Sequence, residues 1–243
     1  MVIKPMDKVP IYLQLEEHIR ELIDSKRLRP GDRVPSEAEL ATAHGISRMT
    51  VRKALDRLEM DGVIVRRAGK GTFVAEPKIV HGASTIFSFS ANLSAAGYET
   101  RAQMVERRVV EPEAGIRSRL GLNSESNVIE IGRVRFIGDD PVALNWDYLP
   151  YPRYAAIMNM DVTRDSILKI IADLAGSSRL KSSDELSISL ARPIEAELLR
   201  IREGSPVFVV QGITYDDTDR PVKYSKAIYR GDRFLFVPAR NPG

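Results

Sequence analysis

Two groups of cationic side chains carry the chemistry legible in this chain. The first begins after Ser47, where Arg48, Thr50, Arg52 and Lys53 follow closely. A guanidinium offers paired donors that match guanine edges and phosphate oxygens, so arginines near the start of a helix suit a major-groove reader. Val51, Leu55 and Leu58 fall at i, i+4 and i+7, so a helix here would bury them and leave Arg48 and Arg52 on another face. Ser47 can cap that helix, and Gly45 makes a turn before it. Ser36, with Glu39 three residues on, forms a capping box for a short preceding helix. Downstream, Val63 to Val65 and Thr72 to Val74 read as strands around Arg66, Arg67, Gly69, Lys70 and Gly71. The glycines permit a sharp turn and close approach to a groove, and the cations supply electrostatic grip. Exposed helices and hairpins carry charges for ordinary reasons too. Capping, core period, turn glycine and hairpin agree here, and together they describe a helix-turn-helix with a basic wing that grips duplex DNA.

The second group is Arg133 and Arg135, two apart on a predicted strand over Val128 to Ile137 and therefore on one face. Two crowded guanidiniums need an anion or carboxylates to neutralise them; Glu130 and Asp147 are the candidate structural partners, and a solvated face is the remaining alternative. Thr100 to Val110 reads as a strand and Pro112 to Leu120 as a short helix. Val128 to Ile137 and Val142 to Tyr148 flank a Gly-Asp-Asp-Pro turn, and Asp165 or Ser166 opens a helix through Leu174 closed at Gly176. Leu186 to Ala191 reads as a strand and Glu195 to Arg200 as a helical turn or two. Val207 to Tyr215 and Val222 to Tyr229 pair around Asp216 to Arg220. Strands on short turns with interspersed helices predict an α+β domain around an antiparallel sheet. The segment around Pro77 and Gly82 breaks periodicity. The expected organisation is a DNA-binding domain over 1–76, a linker over 77–83 and a second domain over 84–243.

A chain of 243 residues can bury two cores. The formal charge of +3 lies wholly in the first third: 15 basic and 12 acidic residues run through Lys78, and 21 of each follow. That modest footprint favours paired sites on DNA over a single one. With no cysteine there are no disulfides and no thiolate metal site, and neither a cofactor nor a metal is expected. No apolar run reaches the roughly 20 residues needed to span a bilayer, so no membrane partner is expected and the cytoplasm is the natural home. His18, His44 and His81 all precede the second domain, which holds no imidazole base, nucleophile elbow or paired-carboxylate motif. No catalytic residue is assigned. A lyase-like enzyme fused to a DNA-binding domain is the competing class, and an architectural DNA-binding protein without a ligand is the third.

Residues 9 to 77 closely resemble the winged helix-turn-helix of the GntR family of bacterial transcription regulators, with Ile11, Leu15, Ile19 and Leu22 striping the first helix. The resemblance implies DNA contacts from Ser36, Ser47, Arg48, Thr50, Arg52 and Lys53, with the wing tip of Gly69, Lys70 and Gly71 entering the minor groove. Many members carry arginine after Pro-Ser-Glu where this chain has Ala38. Residues 84 to 238 resemble the UTRA effector-binding domain of the family's HutC branch, which shares its fold with chorismate lyase. The supporting residues are Phe87 to Ser90, Gly97, Arg133, Arg135, Tyr148-Leu149-Pro150, Asp219 to Val222 and Tyr229 to Asp232. That likeness implies a homodimeric, ligand-responsive regulator, most simply a repressor, whose effector is a small anionic metabolite. Ser88, Phe89, Ser90, Arg133, Arg135, Asn145, Ser166, Lys223 and Tyr229 would line its site. Asn145 and Lys223 stand where relatives tend to carry glutamate, which makes the expected pocket more positive unless Lys223 reaches out to water. Trp146, the only tryptophan, is expected in the core, and each serine taken alone is an ordinary cap or turn residue.

Overall fold

A computed structural model describes residues 9–67, 69–82, 93, 97–163, 166–177 and 179–237. The chain divides into two compact units, Met1–Lys78 and Ile79–Gly243. In the first, α1 (Ile11–Asp24) buries Leu15 and Ile19 against α3 (Arg48–Met60), which contributes Val51, Ala54, Leu55 and Leu58. The helix α2 (Glu37–His44) starts as its capping box requires: the Ser36 hydroxyl accepts from the Glu39 amide at 3.3 Å, and the Ser36 amide donates to the Glu39 carboxylate at 2.7 Å. Gly45 ends it at φ +66°, a left-handed conformation that costs glycine nothing, and this frees the chain to turn into α3. Strands β1 (Arg33–Val34), β2 (Ile64–Arg67) and β3 (Gly71–Val74) form an antiparallel sheet in the order β1-β3-β2, so the predicted wing hairpin is present.

The second unit is built on a six-stranded antiparallel sheet. Its strands are β5 (Thr100–Val110), β6 (Val128–Ile137), β7 (Asp140–Pro150), β8 (Lys181–Leu190), β9 (Pro206–Tyr215) and β10 (Pro221–Arg230), in the order β5-β6-β7-β10-β9-β8. Helices α4 (Ala114–Arg119), α5 (Ile167–Ala175) and α6 (Pro193–Leu199), with a 3-10 turn over Ala155–Asn159, pack around it. One sheet face carries two apolar clusters. Ile129, Ile131 and Leu149 pack on Ile167, Ile170 and Ile171 of α5, while Ala143, Ala227 and Tyr229 pack on Ile79, Leu93 and Phe234. The other face places Val134, Leu144 and Ile228 against Ala196 and Leu199 of α6. At the β9–β10 turn, the Asp216 carboxylate accepts from the Thr218 hydroxyl, the Arg220 amide and Arg153, which hold it well below the usual carboxylate range against the cost of burial.

The structure shifts two expectations. Residues 79–82, expected in the linker, form β4 (Ile79–Gly82), which pairs in parallel with β11 (Phe234–Val237), so the second unit begins at Ile79. β8 begins at Lys181 rather than Leu186, because the polar run Lys-Ser-Ser-Asp-Glu gives an edge strand no apolar alternation to read. Trp146 packs with the α6 cluster, as expected, and covers Gly132, where an added Cβ would stand 2.5 Å from the ring. Gly132→Ala should therefore lower the stability of the second unit by about 1–3 kcal/mol through overpacking. Thermal unfolding followed by the emission of this single tryptophan measures it, and an unchanged midpoint and spectrum would refute the packing.

Candidate nucleic-acid interface and effector site

The amino end of α3 is exposed, and its side chains divide into engaged and open groups. The Ser47 hydroxyl accepts from the Thr50 amide at 3.1 Å and meets the Thr50 hydroxyl at 2.9 Å, so both residues shape the helix start. Arg52 makes a forked pair with Glu37 of α2, at 2.8 Å from Nη2, and the pair holds the Glu37 carboxyl below its ordinary range. Lys53 sits 4.0 Å from the centre of the Tyr12 ring of α1. Ser36 is occupied as a cap. Arg48 is exposed and, among the described residues, makes no ion pair, which leaves it the open guanidinium of the recognition helix. In the wing, Gly69 and Gly71 adopt φ +69° and +114°, as the tight turn requires, and Lys70 is exposed between them. Arg66, expected at the tip, instead turns back to pair with Asp56 and Glu59 of α3 at 2.6 Å and locks the hairpin to the helix. Arg67 stacks on Phe73 at 4.8 Å.

In the second unit the strand registers bring one set of predicted residues together. Arg133 stands opposite Asn145 and Arg135 opposite Ala143, while Ala143 pairs laterally with Tyr229. All point to the face between the two apolar clusters. Arg133, 4 % exposed, donates to the Asp147 carboxylate at 2.7 Å and to the Val162 carbonyl at 2.8 Å. Lys223 reaches the other Asp147 oxygen at 3.1 Å. Burial opposes ionisation of Asp147, yet Lys223 and Arg133 together outweigh it and hold the carboxyl below its ordinary range. Arg135 has the opposite balance: burial, with Arg133 beside it, pulls its guanidinium down to about 10. Burial likewise pushes the Tyr229 hydroxyl up, so it stays protonated.

Two expectations change here. The structural pairing of Arg133 with Asp147, one alternative open from sequence, is realised, whereas Glu130 pairs with Arg108. Lys223 does not reach out to water; it is buried on Asp147, so this face is less positive than the expected pocket. Ser166 stands at the N-cap of α5 with no capping hydrogen bond from its side chain. Ser88, Phe89 and Ser90 lie outside the described residues. Sequence reasoning missed Asp147 as the hub and missed Asp184 altogether. The spacing Asn145-x-Asp147 puts both on one strand face and could have revealed the first; starting β8 five residues late hid the second. Asp147→Asn should cost about 3–5 kcal/mol by leaving two buried cations short of a counter-charge. A carboxyl held below its ordinary value of 3.8 stabilises fully above that value and loses the contribution as pH falls through its lowered folded value. Chemical denaturation from pH 7 to pH 3 should show the gap between wild type and variant narrowing in acid, and a constant gap would refute the hub.

A family model described as bacterial regulatory proteins, gntR family, matches residues 11–74, and one described as the UTRA domain matches residues 95–235. The HTH-type transcriptional repressor NagR of Bacillus subtilis is 32% identical over 237 residues, covering 98% of this chain and 97% of that one. The histidine utilization repressor of Pseudomonas putida is 31% identical, covering 92% and 89%. Among solved structures, PhnF from Mycobacterium smegmatis superposes with a TM-score of 0.66 at 27% identity, covering 94% of this chain and 99% of that one. Both of these sequence relatives are named transcriptional or operon repressors rather than enzymes, which removes the lyase alternative. With an exposed arginine-bearing helix and wing in one unit and a sheet face of buried charges in the other, the chain belongs to the GntR family of bacterial transcription regulators, in the HutC branch that couples this DNA-binding domain to a UTRA domain.

Proposed function

We propose that this protein is a cytoplasmic repressor that binds a pseudo-palindromic operator as a homodimer and is controlled by a small anionic metabolite seated against Arg133 and Arg135. The observation that supports the effector reading is the gathering of Arg133, Arg135 and Lys223 on one sheet face, with Nε of the buried Arg133 left without a hydrogen-bond partner among the described residues. A buried donor left so is costly, and an oxyanion ligand relieves that cost. Asn145, Tyr229 and Ser166 supply polar groups at the margins, with Ser88, Phe89 and Ser90 assigned by family resemblance. The effector alters DNA occupancy only if it binds one arrangement of the two units better than the other. On the DNA side, Arg48, Thr50, Arg52, Lys53 and the wing residues Gly69, Lys70 and Gly71 are the contacts, with Ser36 and Ser47 setting the helix starts. Arg52 must exchange Glu37 for DNA, so Arg48 carries the larger share of base readout.

The dimer reading is supported by the sheet's edges. β5 carries Arg101, Glu106, Arg107 and Arg108, charges of the kind that protect a free edge. β8 over Leu186–Leu190 has neither charge nor proline and leaves Leu186, Ile188 and Leu190 exposed by 45%, 74% and 61%. Antiparallel pairing of two copies about Ile188 sets Leu186 of one protomer against Leu190 of the other, an isologous contact that matches the two-fold symmetry of a palindromic site.

Two outcomes are expected. Arg48→Ala should weaken operator binding by about 1–3 kcal/mol, the value of a bidentate base contact, without lowering the melting temperature; mobility-shift titration with unchanged affinity would sink the assignment. Ile188→Lys should convert a micromolar dimer into monomer in analytical ultracentrifugation and reduce operator affinity with it. A monomeric wild type would overturn the dimer reading, while a variant still dimeric would overturn only this edge.

A further inference from the structure

The recognition helix carries one large apolar side chain that the packing of the first unit does not use. Met49 is the second residue of α3, is 68% exposed, and stands outside the apolar cluster that holds Val51, Ala54, Leu55 and Leu58. At about 100° per residue it lies almost opposite that buried stripe. Met49, Lys53, Asp56 and Met60 follow one another at helical spacing along this outer side, and each is exposed.

Neighbouring elements occupy the helix on both sides of that row. Toward α1, Arg57 pairs with Glu16 at 2.8 Å and Lys53 leans over the Tyr12 ring. Toward α2 and the wing, Arg52 pairs with Glu37, and Arg66 reaches Asp56 and Glu59. A groove that receives α3 therefore meets the row left between them, and first its amino end, since a recognition helix sets its first residues against base edges. Side chains tilt back toward the helix start, so Arg48 and Met49 project there while Thr50 is turned to Ser47.

The chemistry of the groove decides what a methionine can read. Guanine offers paired acceptors that suit an arginine, whereas thymine alone presents an apolar group, its 5-methyl. A thioether chain brings no donor to the polar base edges, but it gains by burying that methyl. A single exposed methionine is ordinary on a protein surface. This one stands where the helix meets the bases, beside the open arginine. We infer, resting on the operator reading above, that Met49 is a specificity-determining residue of the DNA interface: it packs on the 5-methyl of a thymine close to the base that Arg48 reads.

The test begins with the sites that the full-length protein enriches from random double-stranded DNA. Each thymine of an enriched site is replaced in turn by deoxyuridine, which removes the methyl and keeps the pairing edge, and affinity is measured by fluorescence anisotropy. At one thymine in each half-site the replacement should weaken wild-type binding about three- to fivefold, the value of one buried methyl. The same replacement should leave the affinities of Met49→Ala and Met49→Gln nearly unchanged, and both variants should melt as the wild type does. A wild type indifferent to uracil at every thymine, or a loss undiminished in both variants, overturns the role of Met49. Arg48→Ala separates the two readings: if it leaves the base preference of the enriched site unaltered, the arginine assignment fails whether or not the methyl is read. A wild type that enriches no sequence overturns the operator reading and the role of Met49 with it.

Discussion

The second unit depends on one buried carboxylate. Asp147 sits on a central strand and accepts from Arg133 on the strand beside it and from Lys223 on the strand at its other side, so three strands are tied across their shared face. Each ion is nearly excluded from water, and such a cluster adds little net stability over apolar packing; what it adds is geometry, because removing any member leaves an uncompensated charge. A second donor of Arg133, Nη1, holds the Val162 carbonyl, so the same guanidinium ties the sheet to the segment beyond the 3-10 turn.

The same balance governs the face proposed above for the effector. Asp147 is committed to Arg133 and Lys223, while burial lowers the Arg135 guanidinium to about 10 and raises the Asp184 carboxyl.

In the first unit, ion pairs do a different task. Glu37–Arg52 joins α2 to α3, and Arg66 joins the wing to α3 through Asp56 and Glu59. These pairs are partly exposed and individually weak, but they cross between elements and so fix the angle at which helix and wing present Arg48 and Lys70. The cations that appear in sequence as a uniform basic patch are thus divided between those that build the reader and those left open to DNA.

Local rules are legible in the sequence alone. Ser36 with Glu39, Gly45, Ser47 and the Val51, Leu55, Leu58 period specify the helix-turn-helix because caps and periodicity act over a few residues, and β5 and β6 alternate cleanly enough to be bounded correctly. Family likeness placed Arg133, Arg135, Asn145, Lys223 and Tyr229 in one site, and strand registers do bring them to one face. The sequence by itself therefore determined the two domain types, the reader helix and the cationic strand. Only tertiary structure decided which charges meet. Asp147 and Lys223 are 76 residues apart, Asp184 lies over a glycine on another strand, and β4 finds β11 from the far end of the unit. Long-range pairing depends on sheet order and register, which no local pattern encodes, and burial then converts those meetings into the charge balance on which the site rests.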